Sequence, residues 1–415
     1  MSENNTGSRV YLAWLITTMF FFYQYMVRVF PNIISNEIFK TFKITAEEFG
    51  TLGSIYSLTY GIVQIPIGFL LDRVKIKKIS LGAILLCIVG VIMFGMAQSF
   101  QMMQLGRVIT AIGSGAALGI TLKVISANFS GANRGILSGL TLTIGVIGPI
   151  LGGKIFEYVL RSHDWRIAIT IIGMSGFILF LLTLVGVKNI RYSVGGGFRE
   201  TLSGIRHVFS LPVLLYSVIA GGTYAPVCVF ADLWGSRFLS SKFGILETES
   251  VNISLSLYVG VAIGSLLLPF FAEKIRRLNL VIVVTLLCNS ALFCIMIFSD
   301  QLDTKHLYVL VGLIGFFCGA EMICFNAAWY IVPESATGLA VGVINSFSII
   351  FNAAFQHVVG MLMDMMWDRQ VDAEGIRIYS QDHFTLAISS VPIVLMSCFL
   401  ISLLLMRRIR KTNPS

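Results

Sequence analysis

Arg28, Arg107, Lys123 and Glu321 are charged residues inside long apolar runs, and Asp232 stands at the end of another. A charge at the centre of a hydrocarbon layer costs about 3 kcal/mol or more, so each must pair, snorkel to an interface or line a polar interior. Arg28 follows Thr17 and Gln24 at spacings of seven and four residues, which puts all three on one helical face, with Tyr25 beside them. Its charge either snorkels or meets a ligand. The polar companions favour a ligand, and a planar fork of guanidinium donors suits a carboxylate. Glu321 lies about 20 Å inside its run at 1.5 Å per residue, near mid-membrane. Burial disfavours the charged carboxylate, so Glu321 can carry a proton or meet a substrate amine, unless it serves a neighbouring helix as a hydrogen-bonding group. Asp232 is the second candidate for the proton.

Ser217, Tyr224 and Cys228 repeat the seven-and-four spacing, and Asn345, Asn352 and Gln356 repeat it again with His357 adjacent. Amides stacked on one face of an apolar helix either line a wet cavity or hold helices together. Tyr224, Asn352 and Gln356 join Arg28, Gln24, Tyr25 and Lys123 as candidate substrate contacts. Arg107 and Lys123 bracket Gly113, Gly115 and Gly119, about 24 Å apart at 1.5 Å per residue, and Lys123 can equally snorkel. The five histidines are scattered, and the seven cysteines lie inside apolar runs with no CxxC spacing. No metal site, disulfide frame, cofactor or catalytic constellation is expected.

The runs that position these residues dominate the composition. Hydrophobic residues make up 56% and charged residues 12%, with a mean hydropathy of +0.84, far from the globular average. About twelve runs are long enough to cross a membrane, near 10–33, 47–71, 79–98, 102–128, 134–160, 166–187, 208–231, 250–272, 280–299, 306–331, 339–364 and 384–406. Only a helix satisfies its own backbone in lipid, and the runs are too long and too evenly apolar for barrel strands. An all-α integral membrane protein of twelve spans follows.

The net charge is +9, but the cations gather in alternate loops and in the tail: Arg73 to Lys78, Arg134, Lys188 to Arg206, Lys274 to Arg277, and Arg407 to Lys411. That bias is the positive-inside pattern. It predicts both termini in the cytoplasm and implies no nucleic-acid partner. Span 1 is too long for a removed signal peptide and is expected to remain as an anchor. The glycine-rich stretch 188–206 reads as a flexible cytoplasmic linker between six-span halves at 1–187 and 207–415. On the opposite side, Met365 to His383 is the longest loop and reads as a cap.

Three motifs sit at the ends or middles of these spans. Gly68-x-x-x-Asp72-Arg73 leads into Lys75, Lys77 and Lys78, and a degraded copy, Pro269 to Arg277 with Glu273 and Lys274, returns about half a chain later. Arg107 to Ala117 is rich in small residues and is expected to pack inside the bundle. Gly145-x-x-Gly148-Pro149-x-x-Gly152-Gly153 reads as a hinge or sliding surface.

In this order and in these spans, the three motifs resemble those of the major facilitator superfamily, with Lys75 and Ile76 in place of the usual Gly-Arg and Ala111 where a glycine is expected. Phe22-Tyr23-Gln-Tyr-x-x-Arg28-x-x-Pro31, Leu122-Lys123, Leu233-Trp234-Gly235 and Gln356-x-x-x-Gly360-x-x-x-Asp364 further resemble the bacterial phagosomal nutrient transporters and, more distantly, lysosomal dipeptide carriers. The resemblance implies a secondary transporter of the inner membrane, monomeric, working by alternating access with the substrate near the midplane between two halves. Under that reading the substrate is a small amino acid-like metabolite or organic anion, taken up with protons. Asp72 is expected to latch onto the helix N-terminus near Thr337, and Glu273 onto the helix near Asn133. Export or exchange by the same fold, and a transport-silent sensor, remain as alternatives; the glycine-proline motif is often linked to antiport.

Overall fold

The computed structural model of the chain describes residues 2–71, 73–129, 131–187, 209–332 and 337–412. Twelve helices in it are long and apolar enough to cross a membrane: Ser8–Ile33, Ala46–Leu71, Ile76–Gly95, Phe100–Asn128, Ile136–Leu160, Trp165–Gly186, Leu211–Phe243, Glu247–Lys274, Leu278–Phe298, Thr304–Ala327, Leu339–Met366 and Gln381–Met406. We number these spans 1 to 12. Among the described residues the only extended pairing is an isolated bridge between Val371 and Arg377. Large apolar side chains such as Ile65, Leu151, Ile178 and Leu181 stay exposed on the helices, as lipid-facing residues should. The linker expected at 188–206 and the latch residue Asp72 lie outside the described residues.

The chain forms two compact units, Met1–Phe30 with Ile55–Gly195, and Pro31–Ser54 with Gly196–Ser415. In the first unit, span 1 is held by polar clasps and by close helix approach. Trp14 Nε1 donates to Thr141 Oγ1 at 2.9 Å, and Tyr23 Oη donates to the Gly173 oxygen at 3.1 Å. Gly148 lies so near span 1 that a Cβ there would stand 2.5 Å from the Phe22 oxygen. Without a hydrophobic force between helices in lipid, such small-residue contacts and interhelical hydrogen bonds carry the packing.

In the second unit the same device joins spans 8 and 10, where a Cβ on Gly260 would stand 2.5 Å from the Phe316 nitrogen. Span 7 extends beyond the apolar boundary at 231. It runs as an α-helix Leu211–Ala225, a π-helix Pro226–Trp234 and a further α-helix Gly235–Phe243. Pro226 lacks an amide hydrogen and so cannot complete the preceding α ladder, which helps to start the wider turn. Residues 31–54 pack on this span and on the end of span 11. Phe49 meets the Trp234 ring edge-on at 5.0 Å, and a short helix Ser35–Phe42 lies between spans 1 and 2.

Candidate functional site

The first unit gathers the predicted residues of spans 1 and 4. Gln24 and Arg28 are buried, and the Arg28 guanidinium lies over the half-buried Tyr25 ring at 5.6 Å. Gln24 Oε1 faces Tyr56 Oη at 3.5 Å, while its Nε2 is buried with no hydrogen-bond partner. Buried polar groups are nearly always satisfied, so the leftover Gln24 amide makes the surface it shares with Arg28 a candidate contact for a ligand. Arg107 Nη1 and Nη2 donate to the Val27 and Arg28 oxygens at 3.3 and 3.2 Å, and its guanidinium lies 4.1 Å from the Tyr56 ring centroid. It therefore fixes the end of helix Ser2–Arg28 from which Arg28 projects. Lys123 is half-buried in helix Ala117–Asn128, past a two-residue interruption of span 4 at Gly115 and Ala116.

The glycine-proline motif serves this cluster. Gly145, Gly148 and Gly152 face Phe21, Phe22, Tyr25 and Met26 on span 1, and Pro149 and Gly153 are buried. Span 1 can approach span 5 closely only because those side chains are missing.

The second unit holds the two carboxylates. Span 10 is interrupted at Gly319 and Ala320, and Glu321 opens the helix Glu321–Ile331. Its Oε1 accepts from Ser348 Oγ at 3.0 Å, and the residue is 6% exposed. A helix N-terminus favours negative charge, and Glu321 stands in the first turn of this helix. Asp232 lies within the π-helix, buried, and accepts a short hydrogen bond from Tyr258. Asn352 donates to the Ser348 oxygen at 2.9 Å, leaving Oδ1 buried without a partner. Gln356 Nε2 donates to the Cys228 oxygen at 2.6 Å, and Tyr224 is buried close to the end of helix Leu211–Ala225. On span 11, therefore, Gln356 ties helices together, while Asn352 keeps a buried acceptor without a partner.

The remaining predicted residues lie at helix ends. Gly68 is exposed with open space where a Cβ would stand, and Arg73 lies over the Phe69 ring at 3.9 Å. Glu273 accepts from Asn326 at 3.4 Å within its own unit, and Lys274 is exposed. Among the described residues no group of three His, Cys, Asp or Glu could hold a metal ion, and all seven cysteines are free.

Asn32 and Arg237 were not singled out from the sequence, and Asp364 stood there only as part of a motif. Asn32 donates to the Ala231 oxygen at 2.8 Å and accepts from the Ser236 nitrogen at 3.1 Å, so its amide is inserted between two backbone groups of span 7. Asp364 accepts from the Glu47 nitrogen at 2.8 Å and from Arg377 Nη1 at 3.1 Å, capping the helix Ala46–Leu71. Arg237 lies over the Phe39 ring at 3.8 Å. An asparagine and an arginine inside apolar stretches were the available signals; their partners, distant in sequence, were not.

Comparison with known proteins places this arrangement. A bacterial homologue of the human lysosomal transporter Spinster, solved in an inward-facing and unoccupied conformation, superimposes with a TM-score of 0.78 at 16% identity, covering 95% of this chain and 97% of that one. A point mutant of the nucleoside transporter NupG gives 0.74 at 15% identity over 94% and 99%. In sequence, the chain is 20% identical to the uncharacterized transporter YybO of Bacillus subtilis (strain 168) across 86% of this chain and 88% of YybO. It is 24% identical to the quinolone resistance protein NorA of Staphylococcus aureus (strain COL) across 79% and 83%. Residues 13–355 match the family profile of the Major Facilitator Superfamily, and with twelve helical spans and these motifs in order the chain belongs to that superfamily of transporters.

Proposed function

We propose that this chain is a secondary active transporter that moves a small polar metabolite, amino acid-like or an organic anion, by alternating access with proton-coupled uptake. The observation that carries the reading is the pair of deeply buried charges in membrane spans, Arg28 at 7% and Glu321 at 6% exposure. Such groups are costly in lipid and persist where they handle a ligand or an ion. Arg28 holds the carboxylate, with Gln24, Tyr25 and Lys123 adding contacts, and Tyr224, Asn352 and Gln356 contribute polar contacts from the second half. Glu321 carries the proton, with Asp232 as the second acid. Gly68, Asp72 and Arg73, together with Glu273 and Lys274, control access from the side that the cation bias assigns to the cytoplasm of the inner-membrane protein.

Export or exchange is the second reading. It is favoured by the glycine-lined contact between spans 1 and 5 and by a relative named for quinolone resistance. A buried arginine suits a hydrophobic drug poorly.

Uptake of radiolabelled amino acids and nucleosides into proteoliposomes, with and without an inward-acid gradient, tests the proposal. Accumulation of one compound, abolished by Arg28→Ala and uncoupled from the gradient by Glu321→Gln, supports it. Transport indifferent to both changes removes the site assignment, and no uptake of any compound brings export or sensing forward.

A further inference from the structure

One end of the second unit holds a cavity of about 150 Å³ that is separate from the residues assigned above. Three elements build it. The short helix Ser35–Phe42 supplies Ser35, the helix Gly235–Phe243 supplies Ser236, Arg237 and Ser240, and the helix that begins at Glu247 supplies that carboxylate. Tyr379 closes another side. Spacings of four and three residues put Ser240 on a face shared with Ser236 and with Arg237.

The polar groups of the wall fall into two classes. Ser236 is committed: its Oγ donates to the Asn32 oxygen at 2.7 Å. Tyr379 is committed too, donating to Asp364 and accepting from the Ala46 nitrogen at 2.8 Å. Arg237 Nη1 and Ser35 Oγ are different, each buried with no hydrogen-bond partner. Packing over Phe39 holds the Arg237 guanidinium plane, so its fork is oriented before anything binds. A buried guanidinium donor and a buried hydroxyl without partners on the wall of one cavity are a costly arrangement that an anionic group would relieve. Glu247 lines the same cavity and would repel a simple anion. A molecule with both charges answers both walls, its carboxylate on Arg237 and its ammonium on Glu247.

We propose that this cavity is a binding site for a small zwitterion of the α-amino acid class, anchored by Arg237 and Glu247 with Ser35 as a supporting donor. The cavity volume of about 150 Å³ accommodates a ligand of the size of glycine or alanine. The half-buried Ser240, Ser241 and Glu247 leave it open to solvent, so it can fill without rearrangement of the spans.

Thermal melting of the detergent-solubilised full chain tests this, with glycine, alanine, leucine, acetate and methylammonium as probes at matched ionic strength. Glycine and alanine are expected to raise Tm saturably, with leucine, acetate and methylammonium much weaker. Arg237→Lys and Glu247→Gln should each raise the half-saturating glycine concentration about tenfold or more, as the loss of a charged hydrogen bond does. Should Arg237→Lys fail to fold, Ser241→Leu, which fills the cavity from its half-exposed rim, provides the same comparison. The shift is measured again in Arg28→Ala, where it should persist; its loss there would assign binding to the transport residues and overturn the proposal. A shift unchanged by all three cavity variants overturns it, as does the absence of a shift with any probe. Acetate binding as well as glycine, and tightening in Glu247→Gln, would overturn the zwitterion assignment.

Discussion

Asn32 donates from Nδ2 to the backbone oxygen of Ala231 at 2.8 Å, and its Oδ1 accepts from the nitrogen of Ser236, five residues further along span 7. Five residues is the hydrogen-bond step of a π-helix, so one side-chain amide replaces a backbone bond of the widened helix and satisfies both ends. Asn32→Ala strands both groups in a buried place. It is expected to cost about 2–4 kcal/mol and to lower Tm in detergent. Asn32→Asp should do nearly as badly, because a carboxylate cannot donate to Ala231. A wild-type Tm in both variants would mean that the bridge holds nothing.

Asp364 sits on the first turn of the helix Ala46–Leu71, accepting from the Ala46 and Glu47 nitrogens at 3.3 and 2.8 Å. Asp364→Asn keeps the shape and removes the charge that the helix end favours, at an expected cost of about 1–2 kcal/mol. Amide hydrogen exchange should quicken at residues 46–49 while span 8 stays unchanged.

Burial, followed by the hydrogen bond to Asp364, raises the Tyr379 phenol above its ordinary value of 10.0. The fold therefore favours the neutral phenol. That contribution is complete below the unfolded value of about 10 and is lost as pH climbs from there through the folded value. The Tm difference between wild type and Tyr379→Phe should be flat below about pH 10 and shrink above it. A difference that grows in alkali would contradict the geometry.

Two glycines of the family motifs should respond in opposite ways. Gly68 has open space where a Cβ would stand, so Gly68→Ala should leave stability, read as Tm, unchanged or raise it by about 0.5–1 kcal/mol from helix propensity. Gly148→Ala must push span 1 aside and should lower Tm. Lost uptake in a stable Gly68→Ala protein would point to close packing of that glycine in another stage of the transport cycle.

Arg107 grips the Val27 and Arg28 oxygens, so it positions Arg28 through the backbone. Arg107→Lys loses the fork that spans two carbonyls, and half-saturation for the transported compound is expected to rise about tenfold, with the gradient dependence intact. A change confined to the gradient dependence would instead make Arg107 part of proton coupling.

The twelve spans, the helical class and the burial of Arg28, Asp232 and Glu321 were legible in the chain itself. Hydrocarbon thickness sets the length of an apolar run, and a charge within such a run has few places to go. Periodicity also placed Gln24 and Arg28 together, because span 1 is a regular helix through those residues. The same periodicity loses its meaning in span 7, where the π-helix Pro226–Trp234 shifts the faces beyond it and carries Asp232 toward Tyr258. Which partner meets each polar group was decided in three dimensions. Ser348 with Glu321, Glu47 with Asp364, Asn32 with Ala231 and Ser236, and the cavity wall that joins Ser35, Arg237 and Glu247 all depend on the register between helices far apart in sequence. Run length and charge burial are properties of one segment in lipid; hydrogen-bond partners belong to the packing of several.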